Sequence, residues 1–272
     1  APSNPDVVYA MTESPEGTLY RSEDGGKSFN RVSGDVQIVS RGFYYTDLRV
    51  DPTDENRVYV LGSSLQVSED GGRTFQTERI EVHVDHHDLW INPAEPRHMV
   101  LGNDGGVYFS FDGGRSWDFL NQMPIGQFYA IDVDMRSPYF IYGGVQDYCS
   151  WGGPSATRKA IGITESDWFK VMTGDGFQVR VDPNDYTTLY AESQGGRGVR
   201  HDLRTGQNTA IQPQPKNGEE DYRFNWETPI LISSHDSRTL YVGGNVVFKS
   251  TDRGNSWKRI SPDLTTATRL AP

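Results

Sequence analysis

Short apolar segments recur along the chain, and each one follows a turn-forming stretch. The segments are VVYA, RVYVLG, HMVLG, YFIYGG, TTLYAES and TLYVGG, and they follow NPD, DPTDEN, NPAEPR, SP, DPNDY and SHDSR. Apolar and β-branched runs of this length, bounded by Gly, Pro, Asn and Asp, are typical of strands rather than helices. Their central residues lie about 40 to 50 positions apart. The pattern therefore predicts an all-β chain built from one repeated unit.

One repeat can be divided into four strands. YYTDLRV alternates as an inner strand A, RVYVLG is strand B, LQVSE is strand C, and DGGRTFQTE turns into strand D. A four-stranded unit of this length is the blade of a β-propeller. We predict a propeller of about six blades. The units lie roughly at residues 1–37, 38–80, 81–122, 123–172, 173–221 and 222–264, with a tail at 265–272.

The first unit begins at strand B, because no strand precedes APSNPDVVYA. The C-terminal TTATRLAP could close the ring against the first blade, or the chain could be part of a larger propeller protein with earlier blades. The tail lacks the alternation of the other A strands, which favours the second explanation.

A second motif marks four of the six units. SEDGGKSF, SEDGGRTF, SFDGGRSW and STDRGNSW share the pattern S-x-D-x-G-x-[ST]-[WF], which is the Asp-box or BNR repeat. Its Asp and Ser can hydrogen-bond backbone amides of a tight turn, its Gly fits a left-handed backbone, and its aromatic residue wedges between sheets. We predict a structural role for Ser22, Asp24, Gly26, Phe29, Ser68, Asp70, Gly72, Phe75, Ser110, Asp112, Gly114, Trp117, Ser250, Asp252, Gly254 and Trp257.

The segment HVDHHDLW at positions 83–90 concentrates histidine and aspartate. Strand alternation predicts His83, Asp85 and His87 on one side and His86 on the other. His83, Asp85 and His87 are ligand types that zinc and other transition metals accept. Histidine and aspartate at strand ends also pair with each other and with nearby backbone. These residues thus suggest a divalent metal as a cofactor at this cluster. Ca²⁺ at Asp104 or Asp175, which lie beside glycines, is the alternative, although the chain has no D-x-[DN]-x-[DN]-G loop.

Loop position predicts a binding surface. In an up-and-down blade the D–A and B–C connections share one face, and propeller ligands usually bind where such loops converge. The predicted ligand-binding residues on this top face are Tyr44, His86, Gln127, Gln146, Trp151, Arg223 and Trp226, with Arg41 and Phe43 beside Tyr44. The candidate catalytic carboxylates there are Asp88, Asp104, Asp147 and Asp175.

Composition removes several classes of partner. The formal net charge of -11 repels nucleic-acid phosphates and anionic lipid surfaces. No apolar run is long enough to span a bilayer. Cys149 is the only cysteine, so an internal disulfide is impossible. We therefore expect neither nucleic acid nor a membrane span.

These motifs resemble a known group of proteins. The four Asp-boxes, with DHHDLWINP, SWGGPS, YRFNW and GNVVFKSTDRGNSWKRISPDLT, are similar to large bacterial secreted BNR-repeat proteins, which are also described as VPS10/sortilin-like and labelled glycosyl hydrolases. The similarity covers nearly the whole chain, and family members carry further blades before it and more sequence after it. The resemblance implies a propeller fold and a secreted, periplasmic or cell-surface location. The hydrolase label rests on the repeat.

Three functions are compatible with these observations. The first is a non-catalytic propeller that binds a glycan, a peptide or a partner protein through its top-face loops; further blades of the same polypeptide or a larger assembly are also possible partners. The alternative is a glycoside hydrolase, which needs two carboxyl groups roughly 5 to 9.5 Å apart. The third is a metal-dependent hydrolase at His83, Asp85 and His87.

The sequence favours binding over catalysis. Sialidases share Asp-boxes but usually carry an early Arg-Ile-Pro segment, which this chain lacks. Xyloglucanases place their carboxylates between two propellers, and this chain supplies at most one. We therefore favour a protein without catalytic activity. If the chain is an enzyme, we expect a glycoside hydrolase.

Overall fold

The computed structural model describes residues 1–14, 18–42, 44–77, 81–120 and 126–266. Phe43 and most of the predicted C-terminal tail lie outside the described residues. The chain divides into two compact units, Ala1–Pro124 and Ile125–Pro272. Each unit is built from antiparallel sheets.

The described part of the first unit holds three sheets, one of three strands and two of four. The first sheet contains β1 (Val8–Met11), β2 (Leu19–Ser22) and β3 (Asn30–Ser33). The second contains β4 (Asp47–Val50), β5 (Val58–Leu61), β6 (Leu65–Ser68) and β7 (Gln76–Thr77). The third contains β8 (His86–Ile91), β9 (Met99–Asn103), β10 (Gly106–Ser110) and β11 (Asp118–Phe119).

The second unit holds three four-stranded sheets in its described part. The fourth sheet contains β12 (Phe128–Val133), β13 (Phe140–Val145), β14 (Ser150–Pro154) and β15 (Phe169–Met172). The fifth contains β16 (Gly176–Asp182), β17 (Asp185–Ser193), β18 (Arg197–Asp202) and β19 (Gln207–Ala210). The sixth contains β20 (Ile230–Ile232), β21 (Leu240–Gly243), β22 (Val247–Ser250) and β23 (Lys258–Arg259). Single 3₁₀ turns lie at Val36–Val39, Glu165–Asp167 and Gln194–Gly196.

Every sheet is a meander in which each strand pairs with its neighbours in sequence. This strand order is that of a propeller blade, so the prediction of an all-β propeller of six blades is confirmed. The first sheet has three described strands, in the order β1-β2-β3.

The core lies between successive blades. Within the first unit, buried Tyr59 and Leu61 of the second blade pack with Leu89 and Leu101 of the third. Within the second unit, Tyr190 of the fifth blade packs with residues of the sixth. Each such side chain contributes about 1.5 to 3 kcal/mol when it is fully removed from water. The alternating apolar residues therefore hold neighbouring sheets face to face.

The Asp-box turns are held by hydrogen bonds within each motif. The Ser22 hydroxyl oxygen accepts from the Gly26 N–H at 2.9 Å, and Asp24 accepts from the Ser28 N–H and hydroxyl at 2.9 and 2.6 Å. The Ser28 hydroxyl and amide lower the pKa of the Asp24 carboxyl to about 2. The corresponding residues of the other three boxes make the same contacts. These carboxylates are therefore occupied by their own turns.

The aromatic residue of the box contacts other parts of the sheets. Trp257 donates its indole N–H to the Ile211 carbonyl oxygen at 2.7 Å, which joins the sixth blade to the end of the fifth. Trp117 packs against the core cluster of the second and third blades. By contrast, 42% of the Phe29 side chain is exposed.

Candidate functional site

Connections from different blades meet in each unit, in the positions from which the sequence predicted a binding surface. In the first unit we define the Tyr45 cluster as Arg41, Tyr45, Asp85, His87 and Asp104. In the second unit we define the Trp226 cluster as Asp147, Asp175 and Trp226. The residues of both clusters lie on D–A and B–C connections, apart from His87, which lies on β8.

Tyr45 is the centre of the first cluster. Its hydroxyl donates a hydrogen bond to the carboxylate of Asp85. Burial and this hydrogen bond raise the pKa of the Tyr45 phenol, so it remains a donor. The Arg41 guanidinium lies 3.6 Å from the Asp85 carboxylate and donates to the Ser63 hydroxyl at 3.1 Å. Three connections are thereby tied together.

His87 extends the cluster to the third blade. Its ring centroid is 4.5 Å from that of Tyr45, and its Nε2 is 2.6 Å from Asp104 Oδ1. Tyr44 meets Tyr45 edge-on at 5.2 Å between centroids, and 68% of Tyr44 is exposed. Exposed Tyr44 therefore packs against a cluster whose polar side chains are paired with one another.

A β-bulge changes the predicted alternation of the histidine segment. The pairing of β8 with β9 shifts register between His86 and Asp88, and Asp85 has a left-handed φ of 63°. His86 consequently points inward with 2% exposed, so the structure does not place this predicted ligand-binding residue at a surface. Burial lowers the pKa of His86 to about 4, and its Nδ1 has no hydrogen-bond partner.

The three predicted metal ligands have separate partners. His83 Nδ1 is 3.0 Å from the Val84 carbonyl oxygen, Asp85 pairs with Tyr45 and Arg41, and His87 pairs with Asp104. Among the residues that the structure describes, no three His, Cys, Asp or Glu side chains are placed to hold one metal ion. The bulge and the left-handed Asp85 turn these side chains in different directions, so the geometry does not support the metal prediction.

Asp175 is the centre of the second cluster. Its Oδ1 accepts from the backbone N–H of Asp147 at 2.7 Å, and its Oδ2 accepts from the indole N–H of Trp226 at 3.1 Å. Only 7% of Asp175 is exposed, whereas 58% of Trp226 is exposed. A buried carboxylate thus fixes an exposed aromatic ring.

The loop beneath Asp175 is tightly packed. Asp147 and Cys149 have φ values of 58° and 72°, a conformation that costs a non-glycine residue about 1 to 3 kcal/mol. A Cβ atom at Gly176 would lie 2.3 Å from the Cys149 carbonyl oxygen, so only glycine fits. The Gln146 N–H donates to the Gln127 carbonyl oxygen at 2.9 Å, which places these two predicted binding residues together.

The remaining predicted residues are held by local partners. Asp88 pairs with Arg49 at 2.6 Å, and Arg223 pairs with Asp263 at 2.7 Å. Trp151 lies on β14, with the Lys170 ammonium 5.6 Å from its ring centroid. The candidate carboxylates belong to two different units, with Asp88 and Asp104 in the first and Asp147 and Asp175 in the second.

Sequence reasoning missed Glu192, which is the last residue but one of β17. It is 1% exposed, and its Oε1 accepts from the Thr228 N–H at 2.9 Å. Burial raises the pKa of this carboxyl to about 8. A cavity of about 10 Å³ adjoins it, which is close to the space of one water molecule. A charged residue within the apolar segment TTLYAES was the signal that could have found it.

An open cleft lies beside the Trp226 cluster. It has a volume of about 510 Å³, within the range of ligand pockets. Its lining consists of Gly195, residues 212–215 and residues 221–224. The Gly195 N–H donates to the Trp226 carbonyl oxygen at 3.2 Å, so a residue of the cleft wall contacts the backbone of Trp226.

Part of the chain matches the model of a known protein family. The family model described as Sortilin, neurotensin receptor 3, matches residues 7–139, which span most of the first unit and the first strand of the fourth blade. No curated protein matches. The meander blades define a β-propeller, and the part of the chain at residues 7–139 is similar to the sortilin family model.

Several solved structures are similar to the chain at low identity. The GH74 xyloglucanase from Xanthomonas campestris is 16% identical with a TM-score of 0.37, over 96% of this chain and 44% of the enzyme. The GH74 enzyme of Niastella koreensis is 18% identical with a TM-score of 0.36, over 93% and 43%. YCF48 from Cyanidioschyzon merolae is 13% identical with a TM-score of 0.35, over 96% and 86%. The chain thus spans less than half the length of these two GH74 enzymes.

The described helices are short 3₁₀ turns, and none of them has the length and apolarity needed to cross a membrane.

Proposed function

We propose that the chain is an exported, non-catalytic β-propeller that binds a glycan, a peptide or a partner protein through the connections of its top face. One observation carries the proposal: in both clusters an aspartate is used to position an aromatic side chain. Asp85 accepts from Tyr45, and Asp175 accepts from Trp226. The export part rests on the resemblance to sortilin-like secreted proteins.

The hydrogen bonding of the candidate carboxylates favours binding over hydrolysis. A general acid or nucleophile must reach the substrate with a free oxygen. Both oxygens of Asp175 accept hydrogen bonds from the protein, so Asp175 offers no free oxygen to a substrate. Asp88 and Asp104 each use Oδ1 to pair with Arg49 and His87, which is a structural use of that oxygen.

The exposed aromatic rings favour a binding surface. Tyrosine and tryptophan combine a large apolar area with a polar atom, and they dominate many recognition surfaces. Tyr44 and Trp226 are each more than half exposed, with the polar atom of Trp226 already satisfied. A ring fixed in this way loses little side-chain entropy when it binds.

A paired binding and hydrolysis assay tests the proposal. The full chain is titrated with oligosaccharides and with a defined peptide library, and release of reducing sugar is measured on the same saccharides. We expect saturable binding that Tyr44→Ala or Trp226→Ala weakens, without release of sugar. Release that disappears in Asp88→Ala or Asp175→Ala would instead establish a glycoside hydrolase. Absence of binding to every member of both sets would contradict the proposal.

A further inference from the structure

We propose that Trp226 is a stacking platform for one ring of a neutral oligosaccharide, and that the oligosaccharide continues into the adjoining cleft. This inference rests on the proposed binding function and names the ligand class of one of its two clusters.

The first argument is the way in which Trp226 is held. Its indole N–H donates to Asp175, its backbone N–H donates to the Asn225 side chain at 2.9 Å, and its carbonyl oxygen accepts from Gly195. The ring face is therefore the part of the residue that remains available to a ligand. A peptide that adds a strand would need free backbone groups, which Trp226 does not offer.

The second argument is the chemistry of the residue that follows the ring in sequence. Glu227 follows Trp226, and its carboxylate lies 3.5 Å from the Gln178 amide nitrogen, whose own side-chain oxygen accepts from Arg180 and from the Ile230 N–H. The Glu227 carboxylate can accept from hydroxyl groups. A sugar ring has a C–H face that suits an indole and hydroxyl groups at its rim that suit carboxylates. Trp226 and Glu227 together offer both kinds of group.

The third argument is the cleft of about 510 Å³, whose wall residue Gly195 contacts the backbone of Trp226. Its lining includes Tyr222 and the glutamines Gln212 and Gln214, whose amide nitrogens donate to the Gly195 and Gln212 carbonyl oxygens. The edge of the Tyr222 ring packs against Phe248 at 4.7 Å between centroids, which supports the wall. The cleft can therefore receive sugar units beyond the one on Trp226.

The fourth argument is charge. Glu227 and Asp221 place carboxylates at the platform and in the cleft, and the formal net charge of the chain is -11. Arg223, a cation of the cleft wall, is already paired with Asp263 at 2.7 Å. An acidic sugar would be repelled here, so the ligand we propose is neutral.

Calorimetric titration of the full chain with neutral hexasaccharides tests the inference. Cellohexaose, xylohexaose and mannohexaose serve as probes, and hexagalacturonate is the acidic counterpart. We expect at least one neutral probe to bind and to change tryptophan fluorescence. Trp226→Ala should weaken binding by about tenfold or more, as for a central aromatic contact, and Trp226→Phe should weaken it less. Asp175→Asn should also weaken binding, because the indole loses its charged acceptor.

Trp90→Ala is the matched control, because Trp90 is 49% exposed and lies on β8 in the other unit. It should bind the neutral probe as the unaltered chain does. Undiminished binding by a folded Trp226→Ala variant would overturn the inference, as would preferential binding of hexagalacturonate. Binding of peptides alone would overturn the sugar assignment and leave the proposed binding function intact. Cleavage of a probe would overturn the proposed function itself.

Discussion

The carboxyl group of Glu192 accepts a hydrogen bond from the backbone N–H of Thr228 at 2.9 Å, and this contact joins the fifth blade to the connection that leads into the sixth. Burial disfavours the carboxylate form and is the largest effect on the pKa of this group. Backbone hydrogen bonds from Thr228, Gln178 and Gly196 favour the carboxylate and offset burial only in part, and the like charge of Glu227 disfavours it further. The folded chain therefore prefers the neutral acid.

This preference predicts a pH dependence of stability. The pKa of Glu192 is about 8 in the folded chain, compared with 4.5 for an ordinary glutamate. Between these values the folded state binds a proton that the unfolded state has released, so stability falls as pH rises from 4.5 to about 8. Glu192→Gln should be more stable than the unaltered chain at pH 8, by on the order of a few kcal/mol. The two should be similar at pH 4.5.

Urea unfolding midpoints at pH 4.5, 6 and 8 measure the difference. The exposed Glu69→Gln is the control, and its midpoints should follow those of the unaltered chain. If the midpoints of Glu192→Gln and of the unaltered chain differed by the same amount at all three pH values, ionisation of Glu192 would not lower the free energy of unfolding, and the prediction would be wrong.

His86 predicts the opposite pH dependence in the first unit. Its pKa is about 4 in the folded chain because burial disfavours the imidazolium, compared with 6.5 for an ordinary histidine. The unfolded state therefore binds more protons between these values, and stability is lost as pH falls from 6.5 to 4. The imidazole proton resonances of His86, assigned by comparison with His86→Asn, should not shift between pH 8 and pH 5. A midpoint near 6.5 would contradict the burial of this side chain.

Much of the fold could be predicted because the signals that specify it are local. The turn before each B strand, and in four of the six blades the Asp-box after the C strand, mark fixed positions within a blade, and RVYVLG and LQVSE correspond to β5 and β6. YYTDLRV was less accurate, since β4 begins only at Asp47 and the preceding tyrosines belong to the connection. Strand alternation cannot tell a regular strand start from a loop of similar composition.

The candidate site was less predictable because it depends on contacts between blades. The bulge at His86 cannot be read from alternation, so a residue expected at the surface is buried. Asp175 and Trp226 were both selected by loop position, but their hydrogen bond joins residues 51 positions apart. Glu192 was missed because its environment is formed by Thr228 and the cavity, which no local motif marks.

Two glycines at equivalent places in their blades should differ in their tolerance of a side chain. A Cβ atom at Gly144, on β13, would lie 2.1 Å from the Gly176 backbone, whereas one at Gly62, after β5, would meet nothing within 4 Å. Gly144→Ala should lower the free energy of unfolding by about 2 kcal/mol or more, since backbone must move. Gly62→Ala should change it by less than about 0.5 kcal/mol. Thermal melting of both variants checks this. Equal melting temperatures would contradict the close contact between Gly144 and the Gly176 backbone.

The hydrogen bond between Tyr45 and Asp85 can be isolated by a double-mutant cycle. Tyr45→Phe removes the donor and leaves Asp85 with Arg41 as its charged neighbour, and Asp85→Asn removes the acceptor charge. Because a hydrogen bond to a charged group contributes about 1.5 to 3 kcal/mol, the two changes should be non-additive by an amount on that order. The exposed pair of Arg49 and Asp88 is the reference, and its cycle should give at most about 1 kcal/mol because solvent screens it. If the changes in the free energy of unfolding caused by Tyr45→Phe and Asp85→Asn were additive, the hydrogen bond between the two side chains would not contribute to stability. The positioning role that we assign to Asp85 would then be wrong.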